Sequence, residues 1–259
     1  MARALAYFIL FVLFFNVTGA HFNPATTLAD YLYHQNSGKY PHAVDRKNAF
    51  KLLLVTILVQ NLGALLGLLF TYLLVKYYVV TYQLYPVNNL DGLYMYIDNL
   101  GEIGFQYARI FGQEVLQTCL FTLFYLALTQ GKDKYTTKSN FLLKGLALSY
   151  ILNVCYEFSF KAGACLNPAL GFAESIYQIA YDNNIGAANV RSQCIWVYMI
   201  APFVGAMIAA ALFKSHQEIT LEVEKEEDDF HTRKMNESRS VDKIDVEDTR
   251  SIQSTLYTE

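Results

Sequence analysis

Two short stretches of this chain repeat one another: GAHFNPATTLADYLY at residues 19–33 and GACLNPALGFAESIY at residues 163–177. Gly, Ala, Asn, Pro, Ala, a later Ala, an acid and a Tyr recur at identical offsets. Asn is a strong helix N-cap and Pro is favoured at the first helical position, so each Asn-Pro-Ala opens a helix. From Asn23 to Tyr33, or from Asn167 to Tyr177, is about ten residues, or about 15 Å at 1.5 Å per residue. That is half of the roughly 30 Å of hydrocarbon in a bilayer. An apolar half-helix can enter a membrane only if its broken backbone is buried in protein or lines a wet cavity. Two such halves predict one shared cavity.

The remaining sequence supplies the membrane. Hydrophobic residues make up 54% and aromatic residues 15% of the 259, a poor composition for a water-soluble globule. Apolar runs at 4–18, 52–75, 111–129, 141–160 and 195–213 predict five crossings, the first one short. The run after Met1 leads straight into the repeated motif rather than to a cleavage site, so it reads as a spanning helix and not as a signal peptide. Cys119, Cys155, Cys165 and Cys194 lie in or beside these runs, where a free thiol acts as a small hydrophobe. Residues 214–259 hold 13 acids against 7 bases and few apolar residues, which predicts a solvated, disordered tail.

Loop charges give an orientation. The connection at 34–51 carries Lys39, Arg46, Lys47 and Lys51, and that at 131–144 carries Lys132, Lys134, Lys138 and Lys144. The positive-inside rule assigns both to the cytoplasm, and the tail with them. Three crossings separate the motifs, so the half-helices insert with opposite orientation and their N-termini meet near the midplane. The Asn23 and Asn167 amides, each capping its own helix through oxygen, keep N–H protons for a neutral permeant such as water. Each helix N-terminus carries about half a positive charge, opposing a cation by about 2 kcal/mol at ~4 Å. Stripping an ion of its water costs several kcal/mol more, so desolvation dominates and the dipoles reinforce it.

The twin motifs, together with QNLGALLG at 60–67 and WVYMIAPFVGAMIAAAL at 196–212, resemble the aquaporin (major intrinsic protein) family over residues 4–213. The resemblance implies an all-α membrane protein, an aquaporin-like inverted-repeat bundle of six spanning helices and two re-entrant half-helices. It also implies a homotetramer in a plasma or internal vacuolar membrane. Five spanning helices are visible here. The second motif follows two apolar helices and the first only one, so the sequence is expected to lack one N-terminal helix of a complete repeat.

By this resemblance Asn23, Pro24, Ala25, Asn167, Pro168 and Ala169 are the pore motifs. Glu114 looks like the membrane-buried glutamate that holds loop backbone, and Gln60 and His21 stand where the family uses polar residues beside the half-helices. His21 reads equally as a packing residue or a gate. The departure follows the second motif: the family usually places arginine there, and here it is Leu170. The filter is then expected to be less polar. Its other positions map to Ala164, to Cys155 or Leu152 depending on alignment, and to Arg3, twenty residues before Asn23. Arg3 in that register carries the guanidinium across the constriction. Gly171 replaces the aspartate typical of glycerol facilitators, while Tyr198 is typical of water channels.

No metal-ligand cluster, nucleophile–base pair or phosphate-binding glycine loop is evident, so neither an enzyme, a cofactor, a metal nor a nucleic-acid partner is expected. The expected partners are the lipid bilayer, water and small neutral solutes. Three readings stay open: a water-selective channel, a broader facilitator for glycerol-like solutes, and a non-conducting subunit that only assembles.

Overall fold

The computed structural model describes residues 2–35, 46–78, 100–130, 140–158, 165–181 and 185–256. The elements are α1 (Ala2–Thr18), α2 (Pro24–His34), α3 (Arg46–Tyr78), α4 (Leu100–Gln130), α5 (Phe141–Phe158), α6 (Pro168–Tyr181) and α7 (Ile185–Leu256). No strand occurs among the described residues. Among the described residues four helices are long and apolar enough to cross a membrane, over Lys47–Leu74, Tyr107–Gln130, Phe141–Phe158 and Ile195–Met235, and the shorter α1 is apolar too. The all-α membrane bundle expected from the sequence is therefore what the chain forms. The charged loop residues Lys39, Lys132, Lys134 and Lys138 lie outside the described residues.

The packed unit is residues 1–213. The half-helices α2 and α6 touch one another. Helix α1 lies against its counterpart α5, with Phe11 fully buried between them and Gly145 beneath the rings of Phe8 and Phe11. Helix α3 packs across both half-helices. Its counterpart α7 reaches α2 through Phe213, whose ring lies 5.3 Å from that of Tyr33, and reaches α6 at Gly171, beside Tyr198. Helices α3 and α7 thus each touch both half-helices.

Small residues are needed only where helices cross closely. At Gly205 of α7 an added Cβ would lie 2.4 Å from the Val115 carbonyl oxygen and 3.0 Å from the Cys119 nitrogen of α4. Ala206, Ala209 and Ala210 continue that seam and are buried. Gly63 and Gly67 of α3 meet nothing within 4 Å. They sit on a helix whose Leu58, Leu62, Leu66, Leu69 and Phe70 are all exposed, an apolar face suited to lipid or to another subunit.

The second unit is residues 214–259, and it is helical through Leu256. It contains no Gly or Pro, and its Glu and Lys are good helix formers. Lys214 and Glu218 form an i,i+4 pair at 3.8 Å, and Lys234 lies 5.4 Å from the Phe230 ring centroid.

Gly205→Val is expected to lower thermal stability in detergent by about 1–3 kcal/mol or more, because backbone rather than a flexible side chain blocks the added methyls. Gly63→Ala, in open space, is expected to be neutral or slightly stabilising in the same melt.

Candidate functional site

The two half-helices begin as their motifs demand. Asn23 adopts an extended φ of −152° and its side-chain oxygen accepts the Ala25 N–H at 2.9 Å, with Pro24 in the first helical position. Asn167 does the same for α6, its Oδ1 accepting the Ala169 N–H at 3.1 Å. With each oxygen spent on its own helix, the amide nitrogens turn to the other motif. Asn23 Nδ2 donates to the Leu166 carbonyl at 2.7 Å, and Asn167 Nδ2 donates to the Phe22 carbonyl at 2.9 Å. Each asparagine thus bonds to the residue immediately before the other. One amide hydrogen on each side is used in this exchange and one remains.

The exchange explains a local strain. Phe22 and Leu166, the residues before the two asparagines, have φ of +47° and +56°, the left-handed region that costs a non-glycine residue roughly 1–2 kcal/mol. The conformation turns their carbonyls inward to accept from the opposite half-helix. Two otherwise unpaired carbonyls at membrane depth are satisfied in return. Ala20 and Gly19 are also left-handed, at φ of +52° and +72°.

Buried polar side chains brace the loops that carry these residues. Glu114 of α4 is fully buried and accepts two backbone N–H groups, from Cys165 at 2.8 Å and Leu166 at 3.0 Å. Its carboxylate therefore holds the strained loop from behind. On the first motif the Tyr125 hydroxyl donates to the Gly19 carbonyl at 2.6 Å. Gln60 Nε2 donates to Thr27 Oγ1 at 2.9 Å, and Thr27 donates in turn to the Asn23 carbonyl at 2.9 Å. His21 lies edge-on to Tyr125 at 5.5 Å and 3.8 Å from an Asp30 oxygen. Gly19 lets the ring come close, since a Cβ there would stand 3.1 Å from His21 Nε2.

Leu170 packs against the cluster of Ile110, Cys165, Val197, Tyr198 and Ala201. Cys155 is fully buried with its thiol 3.8 Å from the Gln117 carbonyl, and Leu152 belongs to the same core. Both occupy packing positions. Ala164 lies outside the described residues. Arg3 Nη2 is 2.9 Å from Glu174 Oε1, its Nη1 is 3.5 Å from the Tyr156 hydroxyl, and its Cζ lies 5.2 Å from the Tyr156 ring centroid. The repeat marks Asp30 and Glu174 as matched acids, and both pair with polar groups. Tyr125, Thr27 and Tyr156 carry no such signal in the sequence.

Among the described residues no group of three or more His, Cys, Asp or Glu side chains converges to hold a metal ion. The three described cysteines, Cys119, Cys155 and Cys165, are free thiols.

Glu114→Gln keeps the shape but offers one acceptor oxygen and turns an N–H toward another N–H. Its thermal stability is expected to fall by about 1–3 kcal/mol, the usual penalty for an orphaned buried group. An unchanged melting temperature would contradict the bracing role.

A family profile described as Major intrinsic protein matches residues 1–213. Two proteins of Milnesium tardigradum are similar over part of their length. Aquaporin-1 is 30% identical over 108 residues, covering 40% of this chain and 31% of that protein. Aquaporin-9 is 29% identical over 108 residues, covering 40% of this chain and 37% of that protein. The chain spans about a third of the length of these relatives. The profile runs through the whole packed unit, paired motifs included, and the chain belongs to the major intrinsic protein family.

Proposed function

We propose that the chain is a passive membrane channel for water and other small neutral solutes, with the paired Asn-Pro-Ala motifs as its central constriction. The observation that carries this reading is the reciprocal bonding of Asn23 and Asn167 to the carbonyls of Leu166 and Phe22. It holds two helix N-termini against one another, and with them two positive dipole ends and two remaining amide hydrogens. Such a junction favours a hydrogen-bonding neutral molecule over a cation, which would meet both dipoles and lose its hydration. The similarity to two proteins named aquaporins supports the same reading.

The constriction beyond the second motif is relaxed. Leu170 offers no donor and no charge, and it lies in an apolar cluster with Val197 and Tyr198. Arg3, joined to Glu174 at 2.9 Å, is the cation of that region. This favours a second reading, in which glycerol-like solutes pass as well as water. Gly171 has no room to supply a facilitator's aspartate, because even a Cβ there would stand 2.7 Å from Tyr198 Cβ and 3.1 Å from its carbonyl oxygen. Any glycerol selectivity therefore depends on the missing filter arginine and not on an added acid. A homotetramer seating the exposed face of α3 against a neighbour, and a cytoplasmic tail, complete the proposal.

Stopped-flow light scattering on proteoliposomes tests it. The wild-type chain is expected to raise water permeability well above protein-free vesicles and to pass glycerol measurably. Asn167→Asp keeps the capping oxygen but removes both amide hydrogens. Water permeability is expected to drop about tenfold, equivalent to one hydrogen bond in the barrier. Wild-type vesicles indistinguishable from empty ones would favour the non-conducting subunit and overturn the channel.

A further inference from the structure

Helix α4 reaches both motif loops from one face. Glu114 and Tyr125 are eleven residues apart in it, about three turns and about 16 Å, so their side chains leave the helix in nearly the same direction. Both are buried. Glu114 accepts the Leu166 N–H at 3.0 Å, and the Leu166 carbonyl accepts from Asn23. Tyr125 donates at 2.6 Å to the Gly19 carbonyl, at the start of the loop whose last residue, Phe22, accepts from Asn167. Each acceptor of the asparagine exchange is thus tied to α4, one directly and one through three residues of loop. The first loop has the greater need of this tie. Gly19, Ala20 and Phe22, three of the four residues between α1 and Asn23, lie in the left-handed region at φ of +72°, +52° and +47°. Such a run persists only where its surroundings hold it. The Gly19 and Ala20 N–H groups are satisfied locally, by the Phe15 carbonyl at 2.9 Å and the Thr18 hydroxyl at 3.2 Å. The Gly19 carbonyl is met from α4 instead, and the bond also satisfies a phenol hydroxyl that would be costly to bury alone. The Tyr125 ring stands edge-on to His21 at 5.5 Å and so steadies the middle of the loop.

We propose that Tyr125 is a positioning residue for permeation: by holding Gly19 it sets the Phe22 carbonyl to which Asn167 donates, so that one helix, α4, places both acceptors of the junction. The inference rests on the channel reading above and adds to it a residue that acts through the loop, outside the asparagine exchange itself. Loosening Gly19 lets the left-handed run relax and turns the Phe22 carbonyl away. The Asn167 amide then loses the partner that fixes it at 2.9 Å, and the constriction loses an oriented donor. The two loops also become interdependent, because a shift or rotation of α4 moves Glu114 and Tyr125 together.

The test measures water flow through the full chain in proteoliposomes, normalised to the protein incorporated, with thermal unfolding of each variant in parallel. Tyr125→Phe keeps the ring beside His21 and loses only the hydroxyl. Water permeability per channel is expected to fall about fivefold, the weight of one neutral hydrogen bond in the barrier. Gly19→Ala attacks the same contact from the loop, its methyl standing 3.1 Å from His21 Nε2 and 3.6 Å from the Tyr125 hydroxyl at a φ of +72°. It is expected to slow water as well, and the double variant to be no slower than the slower single one, since a single contact is broken. A hydroxyl that only braces the fold would lower the melting temperature of Tyr125→Phe and leave its permeability per channel at the wild-type value, which would overturn the inference while the channel stands. Losses that multiply in the double variant would overturn it too. Should Tyr125→Phe not fold, wild-type flow through Gly19→Ala would do the same. Wild-type vesicles that pass no water would overturn the channel reading, and this inference with it.

Discussion

A helix that stops halfway through a membrane leaves unpaired N–H groups where there is no water to bind them, and this chain contains two such ends. They are resolved against each other. Each asparagine closes its own helix with its oxygen and reaches with its nitrogen to the carbonyl just before the other asparagine, at 2.7 and 2.9 Å. Four polar groups are satisfied by two side chains. The left-handed backbone at Phe22 and Leu166 follows from this arrangement, because only that turn directs both carbonyls to the junction. Glu114, Tyr125 and the Gln60–Thr27 relay lie one layer further out and hold the strained turns in place. Remove the junction and these groups have nothing to brace.

Charge inside the bundle follows the same economy. Glu114 takes two backbone donors from one loop and needs no cation. Asp30 is served by an amide and two imidazoles, and Glu174 by a guanidinium. The repeat thus supplies equivalent acids, and the surrounding helices decide what each becomes. This is how two nearly identical motifs come to sit in unlike surroundings: a titratable cluster beside α2 and a fixed ion pair beside α6.

Much of this was legible in the residues themselves. Asn followed by Pro is a local signal with one dominant outcome, so α2 and α6 start at Pro24 and Pro168 as the motifs predict. The apolar runs set the spanning helices because backbone satisfaction in lipid permits little else. What was illegible depends on geometry between distant segments. Tyr125 looks like one aromatic among many until its hydroxyl meets Gly19 across the fold. The Cys155 thiol meets the Gln117 carbonyl, a contact between two helices that spacing does not encode. Gly63 and Gly67 look like a packing seam, yet face open space because α3 uses its opposite side.

The asparagine junction is tested most directly by a double-mutant cycle on thermal unfolding, using Asn23→Ala, Asn167→Ala and both together. Each single variant loses a helix cap, a local and additive term of about 1 kcal/mol. Because both side chains close the same junction, the cycle is expected to leave an interaction energy of about 1–3 kcal/mol. Effects that add to within about 0.5 kcal/mol would mean that the two half-helix ends are held independently, and would contradict the account.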